Sequence, residues 1–183
     1  MKKITLILLS LVIMAGFSVE VKAQTSASVP ATHAGAVLMV AMGLTQTAPL
    51  HFGSSALTTT AGGTIVLPAN STTRTYTGGV ATSAATPVAT NAAYNVTGTM
   101  NETYAITLPT TVTVTNTQAS TGVYQMDITL MNAYVASKSA VSSTGTLSGS
   151  GTDSFTLGGT LTVKANQLGG IYDATFGVSV DYN

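Results

Sequence analysis

The 183-residue chain contains no cysteine and no tryptophan, and only six basic and six acidic side chains. Each shortage excludes something. Without cysteine there is no disulfide framework, no thiolate metal site and no thiol nucleophile. Six Lys and Arg, of which Lys2, Lys3 and Lys22 stand at the amino terminus, cannot build the basic patch that meets nucleic-acid phosphate, so no nucleic-acid partner is expected. Charged residues are 7% of the chain, against ~25% in an ordinary soluble domain, so ionic networks cannot carry the fold. Histidine is scarce too. His33 and His51 stand far from any carboxylate, the nearest acid after Ala23 being Glu102. A His-based triad or a zinc site with three or four ligands therefore has no sequence signal. No serine has glycine at both −2 and +2, as a nucleophile elbow requires. Asp153 is alone in a Gly/Ser/Thr stretch, where a calcium loop would alternate carboxylates. The reading is non-enzymatic, with no catalytic, metal or cofactor-binding residues.

What is present begins with a targeting pattern. Lys2-Lys3 precede the apolar run Ile4 to Phe17, and Val21-Lys22-Ala23 places small or aliphatic residues at −3 and −1 of a cut. A secretory signal peptide over residues 1–23 is expected. Its apolar run, interrupted by Ser10, is short of the ~20 residues a spanning helix needs, so the mature chain carries no transmembrane segment. Gln24 after the cut excludes a lipid anchor, which needs cysteine there. Export by a Sec-type route to the periplasm, the cell surface or the medium follows. Removal of residues 1–23 leaves Arg74, Lys138 and Lys164 against Glu102, Asp127, Asp153, Asp173 and Asp181, so 3 − 5 gives −2. The chain from Gln24 to Asn183 is long enough for one core. The expected organisation is a flexible segment over 24–35 and one domain over 36–183.

That domain reads as all-β. No stretch shows helical spacing with caps, and threonine, a β-branched residue, is the commonest type after Ala23. Tyr104 to Leu108 alternates large apolar with small or polar residues until Pro109 ends it. Val112 with Val114, Tyr124-Met126-Ile128-Leu130, Phe155 with Leu157, and Leu161 with Val163 repeat the pattern. Short strands between turn residues indicate an antiparallel sandwich or barrel. The clearest alternation puts Tyr172, Ala174, Phe176, Val178, Val180 and Tyr182 on one face of a single strand running to the last residue, about 35 Å long. Such a strand is either central in a sheet or one that a partner also recognises. Ala36 to Leu44, containing Val37, Leu38, Met39, Val40, Met42 and Leu44, is apolar on both faces; the favoured reading is the domain's own first strand, buried on both sides, and the other is a donated strand. Residues 62–70 and 158–166 share five of nine positions, which reads as one glycine-turn-plus-strand solution used twice. Residues 81–92 and 142–154 read as loops.

These residues carry a resemblance. Leu50-His51-Phe52-Gly53, Gly63-Thr64, Arg74 with Gly78-Gly79, Tyr94-Asn95-Val96-Thr97-Gly98, Tyr104 to Pro109, Gly158 to Leu161, and Gly170-Ile171-Tyr172 through Val180-Asp181-Tyr182-Asn183 occur in the order seen in the bacterial domain of unknown function 4402 family, over about residues 36–183. More distantly the chain resembles spore-coat-U-like and chaperone–usher pilin subunits, whose last strand ends on a penultimate aromatic with glycine fourteenth from the end; here these are Tyr182 and Gly170. That resemblance implies an immunoglobulin-like sandwich whose last strand is an assembly strand, with Gly170, Tyr172, Phe176, Val178, Val180 and Tyr182 as its candidate residues. It also implies partners: another copy, a related subunit or a periplasmic chaperone. The usual pilin disulfide is absent. Two functional classes follow. One is a structural or adhesive, fimbria-like surface subunit assembling by strand exchange. The other is a stand-alone secreted module binding a glycan or surface polymer through Tyr76, Tyr94, Tyr104, Tyr124, Tyr134 or Tyr172.

Overall fold

The computed structural model describes residues 33–183, so the expected signal peptide and most of the 24–35 segment lie outside the described residues. Residues 33–37 are exposed and carry no regular structure, and the compact unit runs from Leu38 to Asn183. Its strands in chain order are β1 (Gly43–Ala48), β2 (His51–Phe52), β3 (Ser55–Leu57), β4 (Gly63–Leu67), β5 (Thr75–Gly78), β6 (Val80–Thr82), β7 (Ala89–Thr90) and β8 (Ala92–Thr97), then β9 (Thr103–Thr107), β10 (Thr111–Asn116), β11 (Gln125–Val135), β12 (Ala140–Val141), β13 (Thr144–Thr146), β14 (Thr152–Val163), β15 (Tyr172–Asp173) and β16 (Ser179–Tyr182). A 3₁₀ turn, Ala136–Lys138, follows β11. No helix among the described residues is long and apolar enough to cross a membrane.

The larger sheet has the order β1-β8-β14-β11-β10-β15, and β13-β9-β16 forms a second sheet. All pairings between these strands are antiparallel. The architecture is an all-β sandwich. Strand β14 is long enough to serve two neighbours on one side: Thr152–Leu157 pairs with β8, and Gly159–Val163 pairs with β4, which pairs with β5. Two ribbons, β2-β7 and β3-β6, close the sides.

Alternation dictates the core. Phe155, Leu157, Leu161 and Val163 of β14 are buried, while the threonines between them face outward. One cluster gathers Ile65, Leu67, Val112, Val114, Met126, Ile128, Leu161 and Val163; the other gathers Tyr94, Val96, Tyr104, Ile106, Val135, Leu147, Phe155 and Leu157. Leu50, Met131 and Phe176 pack against both, making the core continuous. In β11 the inward positions change parity, from Met126 and Ile128 to Ala133 and Val135. A one-residue bulge at Leu130–Met131 causes this, with Leu130 at φ 52° and 75% exposed. The simple alternation that placed Leu130 inward fails at that bulge.

The two similar segments pair with each other, Ile65 opposite Leu161 and Thr64 opposite Thr162. A local two-fold relates them. Gly62 abuts Val163 to Ala165, and Gly158 abuts Leu67 to Ala69. They are not two turns: Gly62 has φ 72°, whereas Gly158-Gly159 lies within β14, where glycine allows backbone to pack on backbone. The expected 142–154 loop is also partly structured, because it includes β13 and places Leu147, 1% exposed, in the core. Similarly, 81–92 carries β7 and ends at the buried Ala92.

At one end of the sandwich the Asp153 carboxylate collects the Tyr104 hydroxyl (2.9 Å), the Ser137 hydroxyl (2.5 Å) and the Ser137 and Ser154 N–H groups (3.1 and 2.8 Å). Burial first, then the hydrogen bond to Asp153 and its negative charge, pushes the Tyr104 phenol far above its ordinary 10.0.

Two outcomes are expected. Gly158→Ala drives a β-carbon into the Leu67 carbonyl and the Ala69 N–H; equilibrium denaturation should show a loss of about 1–3 kcal/mol or more. Because folding keeps Tyr104 neutral, its contribution is complete below the ordinary phenol value and is lost as pH rises past it, where the unfolded chain ionises first. Urea midpoints should therefore fall from about pH 10 upward, and Tyr104→Phe should flatten that fall. The residual slope should include Tyr94, raised by burial.

Candidate assembly groove

Strands β15 and β16 are two paired ends of one extended stretch, Tyr172 to Tyr182. Asp173 pairs with Thr115 and Ser179 with Thr107, so six steps along this stretch match eight along its partner. The two extra residues fall near Leu108-Pro109-Thr110, where Pro109 has no N–H to give. The expected continuous strand is thus broken, and Ala174 to Val178 has no ladder partner. Its alternation survives: Tyr172, Ala174, Phe176, Val178, Val180 and Tyr182 are half-buried, and every residue between them is exposed.

Both pieces stand at the outer position of their sheets. The inward row packs against the two core clusters on one side, yet none of its six side chains is fully buried. An edge with unpaired backbone therefore borders a row of half-covered apolar side chains. That combination is an open strand edge, the candidate groove for a further strand.

The ends of the groove are fixed by its two tyrosines. Tyr172 accepts a hydrogen bond from Gln167 Nε2 (2.6 Å) and donates to the Leu168 carbonyl (2.7 Å). Gly170, at φ 150°, lies against the buried Asn116 amide, which leaves no room for a side chain. At the other end the Tyr182 hydroxyl accepts the Thr99 N–H (2.6 Å) and donates to the Val40 carbonyl (2.6 Å), while the Val40 N–H donates to Thr99 Oγ1 (2.6 Å).

The segment with Val37, Leu38, Met39, Val40, Met42 and Leu44 divides. Leu44 lies in β1 opposite Val96, and it packs with Met42 on the core. Val37, Leu38 and Val40 are 86%, 89% and 61% exposed. The expectation of a first strand buried on both sides does not hold for residues 37–40. Strand β8, the partner of β1, ends at Thr97 and turns through Gly98 to Asn101, so the chain before Gly43 has no ladder to join.

The motif around His51 has a different purpose. The Gly53 N–H donates to His51 Nδ1 (2.7 Å), and Arg74 Nη1 donates to the Phe52 and Ser54 carbonyls (2.6 and 2.8 Å) while its guanidinium lies 5.4 Å from the Tyr76 ring centre. A half-buried cation thus ties down a loop. Sequence reasoning had no signal for this, since the carbonyls it binds are backbone. Among the described residues no three His, Asp or Glu side chains converge to hold a metal. Of the six tyrosines considered as a binding platform, Tyr94 and Tyr104 are buried and the others half-buried. The hollow on the outer face of β8 and β14, lined by Asn95, Tyr134, Ser154 and Thr156 among others, is about 240 Å³ and open to solvent.

The model of the family described as Domain of unknown function (DUF4402) matches residues 42–182. No curated protein and no solved structure matches the chain.

Tyr182→Phe removes the acceptor for Thr99 and the donor to Val40, and should cost about 1–2 kcal/mol. Hydrogen exchange should quicken at Thr99 and over residues 38–42, with β4 and β5 unaffected.

Proposed function

We propose that this chain, which belongs to the DUF4402 family, is an exported, non-enzymatic structural or adhesive cell-surface subunit that assembles by β-strand exchange with another copy or a related subunit. The observation that carries this reading is an open strand edge and an exposed apolar segment on the same chain. Along Tyr172 to Tyr182 an outer edge stands beside six half-buried inward side chains. Before β1, Val37 and Leu38 are exposed beyond any need of the monomer. A strand laid along the groove would complete a ladder and cover both sets of side chains at once. Each large apolar side chain fully covered in this way contributes about 1.5–3 kcal/mol before the cost of association.

The composition favours such contact. Only three bases and five acids follow the expected cleavage site, so bringing surfaces together displaces little ionic hydration. A chaperone in the periplasm would cover the same groove until assembly. The stand-alone glycan-binding reading needs exposed aromatic rings, and the buried or half-buried tyrosines weigh against it.

The exported protein should give a ladder of multiples of its mass on unheated SDS gels. Leu38→Asp alters a side chain that is 89% exposed, so the stability of the subunit should change by less than about 0.5 kcal/mol while the ladder disappears. A wild-type protein that sediments strictly as a monomer at high concentration, with no ladder, would overturn the proposal.

A further inference from the structure

In five neighbouring strands of the larger sheet, β10, β11, β14, β4 and β5, the registers line up residue with residue. One row across them runs Thr111, Thr129, Thr160, Val66 and Thr75. The next row, two residues along each strand, runs Thr113, Asp127, Thr162, Thr64 and Thr77. Eight of these ten positions are threonine. The residues between the two rows, among them Val112, Ile128, Leu161 and Ile65, are buried, so all ten side chains share the outward face. Those on β10 and β5 are exposed, and the six between them are half-buried.

We propose that this threonine grid is a binding face for ice. Strands stand about 4.7–4.9 Å apart and every second residue recurs at about 6.6–6.8 Å, a grid that agrees to about a tenth with the oxygen repeats along the a and c axes of hexagonal ice. Sheet twist of about 20–25° per strand would spoil a deep array, but with two rows it lifts the outer corners by only about 2 Å. Each threonine offers a hydroxyl that both donates and accepts, beside a methyl group over which a cage of water can close. Its β-branch restricts χ1, so the hydroxyls are set on the grid before water orders there. The Thr64 and Thr77 hydroxyls bond to one another at 2.7 Å, which still leaves each oxygen a site for water.

The one ionic position is neutralised in place: Thr113 Oγ1 donates to Asp127 at 2.8 Å, and Lys164 Nζ stands 3.1 Å from the same carboxylate. Other occupants fit the face less well. A second copy docked on it would strip the hydroxyls of water with no fixed partner to replace it. A polysaccharide platform stacks sugars on aromatic rings, and the ten positions hold none. An ordered water lattice meets every hydroxyl with a donor or an acceptor, and it continues the repeat that the sheet already has. The Tyr172–Tyr182 row packs on the core side of the sandwich, so strand exchange at that edge would leave the grid free.

The test offers the exported protein to a slowly growing ice surface and measures the share captured in the ice, together with crystal shape and the gap between melting and freezing temperatures. The wild type should be captured, should facet the crystals and should open a gap. Thr162→Lys, which puts a long charged side chain in the middle of the grid, should be rejected by the ice and return the gap to that of buffer. Thr103→Lys, at an exposed position on β9 in the second sheet, should behave as the wild type. Urea midpoints show whether each variant folds; if Thr162→Lys does not, Thr113→Lys, at an exposed position on β10, takes its place with the same expected loss. A wild type rejected by ice, or a folded grid variant captured as well as the wild type, would overturn the proposal. So would a wild type that ice rejects but that binds insoluble cellulose, or pairs with a second copy in sedimentation, with either property lost in the grid variant.

Discussion

The ladder between β11 and β14 is the constraint from which the rest of the sandwich hangs. Strand β14 carries β8 and β4 on its other side, and β11 carries β10 and β12; β1, β5 and β15 attach one step further out. A single disturbance divides this ladder, the extra residue at Leu130–Met131 facing the Gly158-Gly159 region. On either side of it the inward side chains of β11 feed a different cluster, so one bulge defines two half-cores while backbone pairing stays continuous. Little else is available to hold the fold. Among the described residues there is one salt bridge, Lys164 to Asp127 at 3.1 Å, and there is no cysteine in the chain. The Asp127 carboxyl is held below its ordinary value by the Thr113 hydroxyl first and by Lys164 second. Exposed as it is, that pair adds little to stability.

Much of this was legible in the chain itself. Alternation located the strands at Tyr104, Val112, Phe155, Leu161 and Val180, because a half-buried strand prints its period on neighbouring residues. What failed were features set by distant partners. Leu130 obeys the local pattern yet points outward, since the bulge depends on how β11 meets β14. Leu147 looked like part of a polar loop, yet it is buried because β13 pairs with β9. Two Gly-Gly pairs look identical in sequence; one makes a turn and the other lies flat in a strand under the chain at Leu67. Arg74 satisfies backbone carbonyls, which no residue spacing announces.

The groove was half legible. The row from Tyr172 to Tyr182 was visible as a periodic pattern, and its face was assigned correctly. The break between Asp173 and Ser179 was not, because it arises in the partner strand at Pro109. Residues 37–40 show the opposite limit. An apolar run states that burial is favourable, but whether the subunit has a place for it depends on where β8 stops. Since β8 stops at Thr97, the four apolar side chains of residues 37–40 are left outside the core.

The mutual pairing of Gly62–Asn70 with Gly158–Asn166 has an evolutionary consequence. Each copy's leading glycine is accommodated by the backbone shoulder of the other, and Ile65 and Leu161 are direct neighbours across the ladder. A change in one segment is therefore tested at once against its own double, far away along the chain. If the pair arose by duplication, neither copy was free to drift alone. The two stretches should accept substitutions in step across the family, more closely than either does with its sequence neighbours.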